Sequence, residues 1–170
     1  MYEVDERDRV VELTDVPQCD VGAPCPAIFA TDQIVRVAYY LRDDPHAVSP
    51  ADMTGILDEG AGDGERVAIL SMRAHAIMFG PPNDEAFDGH PLASRGLRPY
   101  GAFEIVDSSW VRRLERMNSV HSRHAREKFM TLRHFVFAFH DSTLECVART
   151  YAVETAPGHP VGVLARLASS

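Results

Sequence analysis

Lysine is almost missing from this chain: Lys128 stands alone beside 16 arginines. Compositional drift accounts for that skew as well as a need for bidentate guanidinium contacts does. Cysteine is scarce too. Cys19, Cys25 and Cys146 are too few, and odd in number, for a disulfide framework, and the C-x5-C spacing of the first two matches no zinc signature. A basic surplus is absent. Seventeen Lys and Arg face 25 Asp and Glu, a formal net charge of −8, and such a surface repels phosphate backbones and anionic lipid. Neither nucleic acid nor a membrane is therefore expected as a partner. No run approaches the roughly 18 apolar residues of a membrane helix, and the opening MYEVDERDRV lacks an apolar signal core. A cytoplasmic location is expected. The glycines at 58–65 lack phosphate-loop spacing and a following Lys-Ser/Thr, and no dinucleotide fingerprint or nucleophile elbow occurs. Repeats, heptads and low-complexity tracts are missing as well.

What is present suits one domain, 1–170: 45% hydrophobic and 25% charged residues over 170 positions. Strands are expected at 10–14, in PAIFA and QIVRVAYYL, at 66–79 and at 100–106. Loops are expected at 18–26, 43–55, 58–65 and 80–99. DSSWVRRLERMNSVH (107–121) is the clearest helix, with Asp107 or Ser108 as its cap and Trp110, Leu114 and Met117 on one face. A hairpin spans 132–154, and VGVLARL near the end reads as a last strand or a docking segment. Strands outnumber helices, and the hairpin turn is too short for a parallel pair. The expected fold is α+β, a strand-rich antiparallel sheet with one principal helix. Whether the sheet stays open or curls into a partial barrel is left open by the pattern.

The hairpin carries the main functional argument. With Asp141-Ser142 as the turn, or with a four-residue loop that preserves the same parity, alternation puts Phe135, Phe137, Phe139, Leu144, Cys146 and Ala148 on a dry face. The other face carries His134, Val136, Ala138, His140, Thr143, Glu145, Val147 and Arg149. In 67–79 the same logic sets Ala68, Leu70, Met72, Ala74, Ala76 and Met78 against Ser71, Arg73 and His75, and in 100–106 it sets Phe103 and Ile105 against Ala102 and Glu104. Such a mixed face is either solvated, as antiparallel sheets permit, or an apolar pocket with a few convergent polar groups.

On that face His140 and Glu145 are expected as diagonal neighbours, a carboxylate orienting an imidazole for acid–base work. His134 and His140 lie about 20 Å apart along one strand and cannot share a proton. The long connection 80–99 adds Asp88 and His90, a carboxylate and an imidazole two residues apart, together with Arg95. His121 and His124 sit near a helix C-terminus, where the macrodipole alone favours histidine. The candidate catalytic residues are therefore His140, Glu145, His90 and Asp88. The candidate ligand contacts are Arg73, His75, Glu104, His134, Arg149 and Arg95, with Arg73 or Arg149 as anion clamp. Cofactor and metal use are left open. Two functions follow: a small-molecule binder or enzyme with its pocket on the mixed face, or a non-enzymatic interaction module working as a homodimer.

Overall fold

The computed structural model describes residues 2–42 and 65–169. The turn-rich stretches expected at 43–55 and 58–65 fall almost wholly outside them. The described chain is α+β. Seven strands form one open antiparallel sheet: β1 (Arg9–Glu12), β2 (Ala27–Ala30), β3 (Val35–Tyr40), β4 (Arg66–Gly80), β5 (Gly101–Val106), β6 (Arg133–Ala138) and β7 (Thr143–Pro157), in the spatial order β1-β5-β6-β7-β4-β3-β2. The helices among the described residues are α1 (Ser109–Asn118), α2 (Arg126–Phe129) and α3 (Pro160–Ala168). None is long and apolar enough to cross a membrane.

The first face of the sheet is the dry one. Phe135, Phe137, Phe139, Leu144, Cys146 and Ala148 pack there with Val35, Val37, Tyr39, Leu70 and Met72. The sheet bends around this face. Tyr39 next to β4 and Phe139 at the end of β6 meet with ring centroids 5.2 Å apart, although two strands lie between β3 and β6. Residues 13–20 then cross the opening like a strap. Leu13 N donates to Ala102 O of β5 at 2.9 Å, and Asp20 N donates to Tyr40 O at the end of β3 at 2.9 Å. The arch is held at both sides without closing into a barrel.

The second face is neither solvated nor an open pocket along the hairpin. His134, Val136, Ala138, Thr143, Glu145 and Val147 are all buried. The N-terminal residues, the connection 80–99 and α1 cover them: Phe87, Leu92 and Leu97 pack on Phe103, Ile105, Val136 and Ala138, and Tyr2 and Trp110 pack on Val147. This corrects the expected roles in β5. Phe103 and Ile105 face the covered second side, and Ala102 lies on the dry one.

α1 starts at Ser108, whose hydroxyl accepts from the N–H groups of Trp110 (3.2 Å) and Val111 (3.3 Å), satisfying amides that the first turn would leave orphaned. Trp110 points inward, but Met117 is 64% exposed. The tail is not a strand. His159 accepts from Val161 N (3.2 Å) and Pro160 begins α3, a start that needs no N–H from the proline. Pro160, Val163, Leu164 and Leu167 follow helical spacing, and Val163 and Leu164 pack on Ala38, Val67 and Ile69. It is part of the core, not a free docking segment.

Candidate functional site

The hairpin register differs from the expected one by two residues. Glu145 pairs with Val136 and Thr143 with Ala138, leaving a four-residue loop at 139–142. Parity survives such a slip, so every residue keeps its face, but the neighbours change. Glu145 becomes the diagonal neighbour of His134 rather than of His140. His140 and Glu145 therefore do not form the acid–base pair expected of them.

Glu145 is instead the centre of a sealed polar cluster. Its Oε2 accepts from Tyr2 OH at 2.6 Å and lies 2.8 Å from His134 Nε2, while His90 Nε2 stands 3.4 Å from Oε1. His134 Nδ1 lies 2.9 Å from Ser108 Oγ. Hydrogen-bond capacity fixes the protons. Ser108 Oγ already accepts two backbone N–H groups, so its own proton goes to His134 Nδ1, and the ring proton sits on Nε2, facing the carboxylate. The start of α1 is thus relayed through a serine and an imidazole to a buried anion. Burial alone would raise the Glu145 pKa. The contacts with His134 and His90 and the Tyr2 hydroxyl outweigh it and hold the pKa at about 2. Burial first, and the adjacent carboxylate second, push the Tyr2 phenol far above its ordinary range.

Two histidines and a carboxylate are also the residue types of a facial metal set. The hydrogen bonds here oppose that use. His90 Nδ1 accepts from Leu92 N at 3.1 Å, so its Nε2 carries the ring proton and has no lone pair for a metal. Among the described residues no group of three or more His, Cys, Asp or Glu could hold a metal ion. His90 Nε2 finds no hydrogen-bond partner among those residues, a cost borne inside a cluster that is otherwise satisfied.

The other expected site residues scatter. His140 is half-exposed, with Nδ1 2.9 Å from Asp141 and Nε2 4.0 Å from Asp84, and its pKa is raised first by the bond to Asp141. Asp88 is exposed, whereas His90 is buried. Arg95 donates to the carbonyls of Asp5 and of Asp8 (2.9 Å for the latter), tying the N-terminal segment down. Glu104 is held by Arg133 through bonds of 2.9 and 2.5 Å. His124 Nε2 lies 2.8 Å from Glu115, away from His121. Arg73, His75 and Arg149 are brought together, along one groove. Sequence reasoning named Ser108 only as a helix cap and missed Tyr2 and the strap. The alternation of Tyr2 and Val4 with charged neighbours was the available signal for the first.

On the dry face, open space lies under the strap. A cavity of about 540 Å3 opens between residues 12–21 and a floor of Tyr39, Phe137 and Phe139, with Tyr100 on one wall. Tyr39 OH donates to Pro17 O (2.7 Å) and the Gln18 amide to Tyr100 O (3.4 Å), pinning the walls. Tyr100 holds a left-handed backbone, φ 59°, a conformation that costs a non-glycine residue and gathers at functional positions. Its hydroxyl donates to Asp84 at 2.5 Å. Burial pushes the Cys19 thiol up to about 11, and the bond to Asp84 pushes the Tyr100 phenol up to about 12. At the rim Arg98 and Glu12 neutralise each other at 2.6 Å. The lining is therefore uncharged in sum at neutral pH.

Compared with protein-family models, with curated proteins and with solved structures, the chain matches none of them.

Proposed function

We propose that this protein binds a small, uncharged molecule with both polar and apolar groups in the strapped mouth of its bent sheet. The observation that carries the reading is the cavity of about 540 Å3 with its floor of Tyr39, Phe137 and Phe139. Ligand pockets range over roughly 300–1,000 Å3 and favour the mouths of curled sheets. The raised pKa values of Cys19 and Tyr100 and the Glu12–Arg98 pair leave no net charge there to attract an ion. A pocket on the mixed face lined by His140, Glu145 and His90 is not part of this reading, because Glu145 and His90 are buried and His140 stands apart from them. The free thiols of Cys19, Cys25 and Cys146 support a reducing compartment such as the cytoplasm.

The test uses N-phenyl-1-naphthylamine, an uncharged fluorophore. Saturable fluorescence gain is expected with the natural chain. Val16→Trp, which fills the cavity from the half-buried strap, should weaken it about tenfold or more while leaving the melting temperature near its starting value. Equal binding by both proteins refutes the reading. A second reading, a homodimeric interaction module, draws on Met117 (64% exposed), Val120 (91%) and Met130 (47%) around α1 and α2. Sedimentation of the natural chain against Val120→Asp distinguishes it: a dimer lost in the variant supports the module.

A further inference from the structure

β4 and β7 do not run in simple register. Met72 pairs with Tyr151 and Ala74 with Ala148, so β7 spends three residues against two of β4. One step later Ala76 pairs with Val147, two residues of β4 against one of β7. These are two bulges on opposite strands, back to back. A bulge bends its strand and re-aims its side chains, and bulges concentrate beside functional sites. Here Arg73, His75 and Arg149 sit at the two bulges and line one groove of about 610 Å3 with Lys128, Phe129 and Leu132 of the α2 region. The His75 ring stands edge-on to Phe129, centroids 5.1 Å apart at 86°.

The charge of this groove runs against the rest of the molecule. The chain has eight more carboxylates than Lys and Arg, and elsewhere Arg7, Arg98, Arg112 and Arg133 are paired with Asp or Glu. The side-chain cations of Arg73, Lys128 and Arg149 have no ion-pair or hydrogen-bond partner among the described residues, and no Asp or Glu lines the groove. Asp15 accepts from Tyr151 OH at 2.5 Å and Glu104 holds Arg133, while Glu127, next to Lys128 in α2, does not line the groove. Three permanent cations around one apolar floor match a ligand with more than one negative charge and an apolar body. Guanidinium forks suit tetrahedral oxyanions.

We propose that this groove is a second binding site, taking an organic phosphate monoester whose ring or chain lies on Phe129 and Leu132. It is separate from the cavity under the strap and independent of the reading given for it. The probe is phenyl phosphate, titrated by calorimetry at pH 8, where the phosphate is a dianion, and at low ionic strength, since exposed charges are screened by salt. Phenyl phosphate is expected to bind saturably and about tenfold or more tighter than either benzoate or inorganic phosphate, which lack one charge or the ring. Arg149→Gln and Lys128→Gln should each weaken it about three- to tenfold. Both side chains are exposed and have no partner among the described residues, so melting temperatures should stay level. Phenyl phosphate should also fail to displace N-phenyl-1-naphthylamine. Absence of saturable binding, or binding that survives in the double variant, overturns the site. Equal affinity for inorganic phosphate or benzoate overturns the ligand class.

Discussion

Replacing Glu145 by glutamine tests the buried cluster most directly. The carboxylate faces Tyr2 OH, His134 Nε2 and His90 Nε2, at 2.6, 2.8 and 3.4 Å, and is only 5% exposed. A carboxyl whose pKa falls from 4.5 to about 2 on folding contributes on the order of 3 kcal/mol at neutral pH. The folded pKa is the depressed one. The contribution is therefore fully present above about pH 4.5 and disappears as the pH falls toward 2. Glutamine keeps the shape, but one of its two ends becomes a donor and must face a donor, so nothing in the variant replaces the lost charge. The expected result is a destabilisation of about 3 kcal/mol at pH 7, seen as a fall of roughly 6–12 °C in melting temperature for a domain of this size. Urea melts of both proteins from pH 7 to pH 2 should show that gap narrowing to under about 1 kcal/mol at the acid end. Other carboxylates with lowered pKa, Asp5, Asp84 and Asp107, titrate in both proteins and cancel in the difference. A gap smaller than about 1 kcal/mol at pH 7, or one that does not change with pH, would refute the claim that an ionised Glu145 holds the cluster together.

Phe137 is 2% exposed on the dry face, so Phe137→Ala should cost about 3–5 kcal/mol in urea melts; a loss below about 1 kcal/mol would show the face assignment to be wrong. His140 should titrate above its ordinary value by NMR, because Asp141 and Asp84 stand beside it. Its small contribution to stability is then present below the unfolded pKa and lost as pH rises through the folded one. Asp141→Asn and Asp84→Asn should lower that pKa and Glu145→Gln should leave it unmoved; the reverse pattern would restore the pairing expected from the sequence.

Alternation along the hairpin made its faces readable, since a side chain's face depends only on parity. The register was not readable, because a two-residue and a four-residue loop preserve the same parity while changing every diagonal neighbour. That one ambiguity moved Glu145 from His140 to His134 and turned an expected catalytic pair into a buried structural cluster. The bulges were hidden for a related reason. Ala74 and Ala76 give no contrast of size or polarity, so the pattern runs on unbroken through the place where Ala76 and Met78 change sides. The covering of the second face was illegible because it comes from residues distant in sequence: Tyr2, Leu92 and Trp110 show local patterns but not their destination. In the tail, Pro160, Val163, Leu164 and Leu167 did carry helical spacing, and the apolar run obscured it.

The docking of Tyr2 also orders events in time. Its partner Glu145 lies 143 residues further along the chain, and its stacking partner Trp110, with centroids 5.5 Å apart, is not much closer in sequence. On a ribosome, residues 2–8 are synthesised long before the hairpin that receives them exists. They must stay in solvent, with Tyr2 and Val4 uncovered, until β6 and β7 have paired. Closing a loop of that length is entropically costly and brings no return until the final contacts form. Burial of the Glu145 carboxylate therefore belongs to the closing step of folding. Until then the anion stays hydrated, and the segment that seals it stays open to capture by chaperones or proteases.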